Sequence, residues 1–201
     1  LKFYQRKEVK DVLAYLRLAH NPNDDVALMR VINEPPRGIG QTTLKKASVI
    51  AADEETSLYD GLLRLIERPE GSRAKKAVDR FRRLNEQLRK LVTDDLEVFR
   101  VAETVLAETG YIKRLQDEGT FEAQSRKENV DELMVSIQNW SERADDRSLS
   151  AFLDHVSLLS SLDEKSDQSQ DAMILMTVHA AKGLEFDTVY VTGLEENVFP
   201  H

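Results

Sequence analysis

Apolar residues recur at spacings of three and four over most of this chain, and that period commits it to packed helices rather than to sheets. Val9, Val12, Leu13 and Leu16 set the pattern first and predict an amphipathic helix over residues 8–19. Asn21-Pro22-Asn23-Asp24-Asp25 then breaks it. A short helix over 27–32 precedes Pro35-Pro36, and helix resumes over 42–52 with Thr42 or Gln41 as its first cap. Ser57 and Asp60 predict a capped start for a helix running towards Arg68, and Pro69-Glu70-Gly71-Ser72 is a turn. Ala77, Phe81, Leu84, Leu88 and Leu91 share one face of a long helix over 73–91. Residues 96–109 form another, stopped by Gly110, and a shorter one ends at Gly119. Ser125-Arg126-Lys127-Glu128 reads as a capping box for a helix continued by Val130, Leu133, Met134 and Ile137. Leu149, Phe152, Leu153 and Val156 mark the last helix.

The pattern changes towards the C-terminus. Residues 163–171 are polar, lack an apolar anchor and read as a linker. Met173 to Val178 and Thr188 to Thr192 are continuous apolar runs of the kind that suits buried parallel strands. Two strands make no stable sheet by themselves, so residues 172–201 are expected to belong to a second domain completed elsewhere. The chain starts at Leu1 and ends on Phe199-Pro200-His201 just after a strand-like run, which leads us to expect a piece of a longer protein. The fold class expected is mainly α, with a partial α/β segment.

Composition narrows the chemistry. None of the 201 residues is cysteine, which excludes a disulfide framework, thiolate metal sites and a cysteine nucleophile, and suits a cytoplasmic protein. No apolar run approaches the ~20 residues of a membrane span. The formal charge of −8 argues against a uniformly basic nucleic-acid binder but is silent about local patches. Residues 73–90 hold eight basic side chains against two acidic ones, and residues 94–122 hold eight acidic against three basic. A basic stripe on an acidic protein binds phosphate or is simply a solvated helix face, and the second is commoner. No metal-ligand spacing, paired carboxylates or nucleophile triad stands out, so neither a catalytic nor a metal residue is assigned.

Two loops carry chemistry. In Pro35-Pro36-Arg37-Gly38-Ile39-Gly40-Gln41-Thr42-Thr43, two glycines allow a tight hairpin with uncovered N–H groups. The helix that follows points its positive end outward, which is a phosphate cradle that needs no lysine. Arg37 adds a cation, and Ile39 anchors the hairpin to the core. The plain alternative is a glycine turn between helices. In the second loop, Thr177-Val178-His179-Ala180-Ala181-Lys182-Gly183-Leu184-Glu185-Phe186 joins the two expected strands, where ligands bind in α/β sheets. A plain connection is the alternative there. No G-x-x-x-x-G-K-[ST] phosphate loop occurs in the chain.

Residues 174–186 resemble motif V of the UvrD/PcrA/Rep group of superfamily 1 DNA helicases, and residues 193–200 resemble the stretch that follows it there. Phe3 to Leu18 is similar to motif IVa of that group, and Asn33 to Gly40 to the Gly-Ile-Gly hairpin of its helical subdomain 2B. The resemblance implies a helical 2B subdomain at 22–165 with a helix-hairpin-helix-like element. It would be flanked by pieces of the RecA-like subdomain 2A at 1–21 and 166–201. It implies a parent that moves 3′ to 5′ on single-stranded DNA, driven by ATP and Mg²⁺, in repair or replication, with 2B swivelling on its hinges. Arg37, Gly38, Ile39, Gly40 and Thr43 would hold duplex backbone. Thr177 and His179, and more weakly Arg6 and Lys10, would meet the single strand. Gly183 and Glu185 would lie at the ATP. Partners implied are double- and single-stranded DNA, the other helicase subdomains, and repair or replication proteins, with no membrane. Lacking the Walker A and acidic metal motifs, the chain alone is expected to bind no cofactor and to be inactive. Two readings stay open: a DNA-gripping accessory domain, or a protein-interaction or autoinhibitory module. A nuclease-linked parent is a further alternative.

Overall fold

A computed structural model describes residues 3–93, 96–166 and 186–192, with side chains of the second run described through 159. Contacts divide the chain into two units, Leu1–Glu164 and Lys165–His201. Among the described residues the structure is helical and contains no strand, in line with a mainly α class. The helices are α1 (Lys7–His20), α2 (Asp25–Val31), α3 (Gln41–Asp53), α4 (Leu58–Ile66), α5 (Lys75–Thr93), α6 (Val98–Thr109), α7 (Tyr111–Glu118), α8 (Phe121–Arg143) and α9 (Leu149–Ser166).

Helix α1 is the axis of the first unit. It packs against α2, α5, α6 and α8, and ten of its fourteen residues are buried, so it is covered nearly all round. Lys7–His20, within the stretch that the helicase resemblance allots to the RecA-like subdomain, is thus the central helix of this unit. This explains a feature that its apolar spacing hides: α1 carries two buried acids, Glu8 and Asp11. Buried carboxylates require partners. Asp11 has Arg30 Nε at 2.8 Å and Lys7 Nζ at 3.3 Å, and accepts from the Tyr111 hydroxyl at 2.8 Å. Glu8 accepts from Asn129 of α8. Burial, and then the Asp11 carboxylate, push the Tyr111 phenol far above its ordinary range.

Helix ends follow the local chemistry in most places. Ser57 accepts from Asp60 N at the head of α4, and Gly110 (φ +73°) and Gly119 (φ +63°) end α6 and α7 in the left-handed region. Three expectations change. The box at Ser125 lies inside α8, because Thr120 is already extended and its hydroxyl accepts from Ala123 N at 3.1 Å, starting the helix a turn earlier. The expected linker at 163–171 begins within α9, which runs through Ser166. Residues 188–192, expected to form a strand, form none and are exposed; an extended run needs a neighbouring strand to bond with. The other expected strand, 173–178, lies outside the described residues.

Helices α3 and α4 form the tightest pair, and a glycine makes their approach possible. A Cβ on Gly61 would stand 2.4 Å from the Ala47 carbonyl oxygen. Gly61→Ala should therefore reverse the usual helical preference for alanine of about 1 kcal/mol. A destabilisation of roughly 1–3 kcal/mol is expected instead from overpacking, read as a lower midpoint in denaturant unfolding. An unchanged or raised midpoint would contradict this packing.

Candidate nucleic-acid interface

The hairpin between α2 and α3 is held from beneath by two side chains. Asn33 grips the central residue twice: its Nδ2 donates to the Ile39 carbonyl at 2.6 Å, and its Oδ1 accepts from Ile39 N at 3.2 Å. The Ile39 side chain is 1% exposed, so the hairpin is anchored at its midpoint in the core. Gly38 sits at φ +78°, a conformation that a side chain would strain. The Glu34-Pro35 peptide is cis.

Arg37 points inward. Its Nη1 donates to the carbonyls of Val31 (2.8 Å) and Pro35 (3.2 Å), and stands 3.4 Å from that of Ile32. Its Nη2 donates to the Tyr15 hydroxyl at 2.5 Å and reaches the Thr109 carbonyl at 3.5 Å. The guanidinium also lies over the Tyr15 and Phe81 rings. Both terminal nitrogens of the half-buried guanidinium are thus engaged within this chain. The Tyr15 hydroxyl in turn donates to the Glu34 carbonyl. Burial pushes its phenol up to about 12, although the Arg37 charge pulls the other way.

What faces outward is backbone. Gly40 caps α3 with extended torsions (φ −70°, ψ 163°) and makes no side-chain cap. Its carbonyl accepts from Thr43 N at 3.0 Å and Leu44 N at 3.1 Å, while the N–H groups of Gly40, Gln41 and Thr42 have no acceptor among the described residues. Four N–H groups at a helix head lack intrahelical partners, and their summed dipole favours an anion. A Cβ on Gly38 or Gly40 would meet nothing within 4 Å. Lys45 and Lys46 are exposed one turn further along α3.

The remaining sequence candidates are scattered. Arg6 is engaged by Glu132 at 3.3 Å and by Asn129, and lies over the Phe3 ring. Lys10 is half-buried on α1. Thr177, His179, Gly183 and Glu185 lie outside the described residues. Asn33, to which the sequence reading gave no role of its own, is the residue that fixes Ile39, six positions further on.

The whole chain, residues 1–201, matches the UvrD-like helicase C-terminal domain. The chain belongs to that family. Relatives named ATP-dependent DNA helicase PcrA include that of Bacillus subtilis (strain 168), 42% identical over 205 residues, which cover all of this chain and 28% of the relative. That of Staphylococcus aureus (strain Mu50 / ATCC 700699) is 38% identical over 204 residues, covering all of this chain and 27% of the relative. This UvrD-like domain thus spans about a quarter of the length of the curated relatives it matches.

The Tyr15 environment has a consequence at alkaline pH. The folded-state pKa lies above the unfolded value of 10, so the neutral phenol contributes stability that is complete below pH 10 and is lost as pH rises towards 12. The loss attributable to Tyr15 is on the order of 2–3 kcal/mol. Denaturant unfolding of the domain between pH 9 and about 12 should show this decline, with a shallower slope in Tyr15→Phe. Equal slopes would contradict it.

Proposed function

We propose that this domain grips the sugar–phosphate backbone of duplex DNA for an ATP-driven helicase. The observation that carries this reading is Gly40. Its torsions are ordinary and a side chain there would meet open space, so the fold has no need of glycine; a close-lying phosphate does. Arg37 and Asn33 are positioning residues that hold Gly38, Ile39 and Gly40 at the mouth. The open N–H groups at the head of α3, with the nearby Thr42 and Thr43 hydroxyls, are the proposed backbone ligands. Such contacts bind without reading sequence.

The helicase resemblance and the PcrA relatives support the rest of the proposal. The parent would move 3′ to 5′ on single-stranded DNA. Thr177 and His179 would touch that strand, and Gly183 and Glu185 would face ATP, which with Mg²⁺ supplies the driving hydrolysis. The chain itself contains no Walker A sequence, so the purified chain is expected to show no ATP turnover.

Gly40→Asp tests the grip by separating fold from function. Aspartate is a better helix cap than glycine and favours the dipole, so thermal stability should hold or rise slightly. Duplex affinity, by fluorescence anisotropy at low salt, should fall roughly tenfold or more, because a carboxylate then occupies the phosphate position. Undiminished affinity would sink the proposal and leave a protein-interaction or autoinhibitory role.

Arg37→Met gives an independent check. Displacing the hairpin should weaken duplex binding at every salt concentration while leaving the slope of log K against log[salt] unchanged. A direct phosphate ligand would instead reduce that slope by about 1.

A further inference from the structure

Helix α5 buries Val78, Phe81, Asn85 and Leu88 and turns a different face to solvent. On that face stand Lys76, Arg80, Arg83 and Lys90, preceded by Arg73 in the turn before the helix, at spacings of three, four, three and seven. Such spacing stacks side chains in one line, with each turn rising about 5 Å. All five are exposed, and none has an ion-pair partner among the described residues. That is notable in a chain with 36 acidic residues. Of the cations off the line, Lys75 pairs with Glu67 and Arg82 with Asp79 and Glu86, while the exposed Arg89 has no ion-pair partner among the described residues.

The line borders an open groove of about 690 Å³, lined by Lys76, Arg80, Arg83 and Gln87, with two acids on its wall: Glu108 of α6 and Asp79, which is paired with Arg82. No aromatic side chain lines it, so it offers charge and hydrogen bonds rather than stacking for bases. Glu108 directly precedes Thr109, whose carbonyl Arg37 reaches from beneath the hairpin. The groove wall and the hairpin support therefore meet at the end of α6.

We infer that this groove, with the line of cations that continues past it to Lys90, is a second backbone-binding surface, in which Lys76, Arg80, Arg83 and Lys90 track the phosphates of a DNA strand. The inference rests on the proposed DNA grip of the hairpin and extends it along α5. Linear charge without stacking groups fits a phosphodiester backbone, and Glu108 on the wall, which has no ion-pair partner among the described residues, keeps the contact weak and releasable.

The test uses the intact 201-residue chain with labelled duplex and single-stranded probes, titrated between about 50 and 200 mM salt. Arg80→Gln/Arg83→Gln/Lys90→Gln removes three exposed, unpaired charges, and helical circular dichroism checks that the fold persists. The expected result is a loss of roughly tenfold or more at low salt and a salt slope reduced by about 2–3. Loss on both probes supports a strand-tracking surface, and loss on duplex alone supports a duplex surface. Glu108→Gln should tighten binding several-fold, and an unchanged affinity there counts against a strand in the groove.

An unchanged salt slope in the triple variant overturns the inference, whatever the hairpin variant does, as does absence of DNA binding by the wild-type chain. If Gly40→Asp binds normally while the triple variant loses affinity, the hairpin reading fails and the groove stands. An acidic protein partner as the true occupant would leave both DNA affinities untouched.

Discussion

One guanidinium holds the hairpin to the rest of the domain. The last carbonyls of a helix have no intrahelical donors, and the helix dipole makes that end negative. Arg37 answers both needs at two helices at once. It donates to Val31 O and lies near Ile32 O at the end of α2, and it reaches Thr109 O at the end of α6. Tyr15 on the central helix supplies a neutral acceptor, and Tyr15 and Phe81 offer ring faces to the cation. Lysine has no planar fork with which to serve these directions together. The half-buried charge does without a carboxylate hydrogen bond because carbonyl dipoles and two aromatic faces surround it.

This arrangement divides labour within a short sequence. Arg37 and Ile39 face inward and fix position, while Gly38 and Gly40 face outward and leave the backbone bare. Asn33 closes the unit by taking up both polar backbone groups of Ile39, which would otherwise be buried unbonded at the foot of the turn. The hairpin is therefore rigid at its base and uncovered at its tip. That combination suits a surface that must accept a backbone without rearranging around it.

Much of the helical order was legible because apolar period and end signals act locally. Ser57, Gly110 and Gly119 do what their residue types suggest. The errors have a common origin in competition between neighbouring signals and in contacts remote in sequence. The box at Ser125 loses to Thr120, since a helix already capped upstream runs through a second cap sequence. Polar composition at 163–166 was read as linker although α9 continues through it. The direction of Arg37, which its glycine neighbours do not reveal, is set by Tyr15, Phe81 and Thr109, from 22 to 72 residues away. The buried acids of α1 were hidden for the same reason: their partners Arg30, Tyr111 and Asn129 come from three other elements.

The glycines show how structure separates what a fold demands from what a ligand demands. At Gly61 and Gly71 an added Cβ would collide with backbone, at 2.4 Å from Ala47 O and 2.0 Å from Leu65 O, so packing alone accounts for them. At Gly38 the positive φ accounts for glycine without any ligand. Gly40 is explained by neither: its torsions suit any residue, its surroundings are empty, and serine or aspartate would cap α3 better. A position where the fold itself would favour a different residue points to a demand from outside the fold. At the head of a helix with unpaired N–H groups, the chemistry that makes such a demand is an anion approaching close to the backbone.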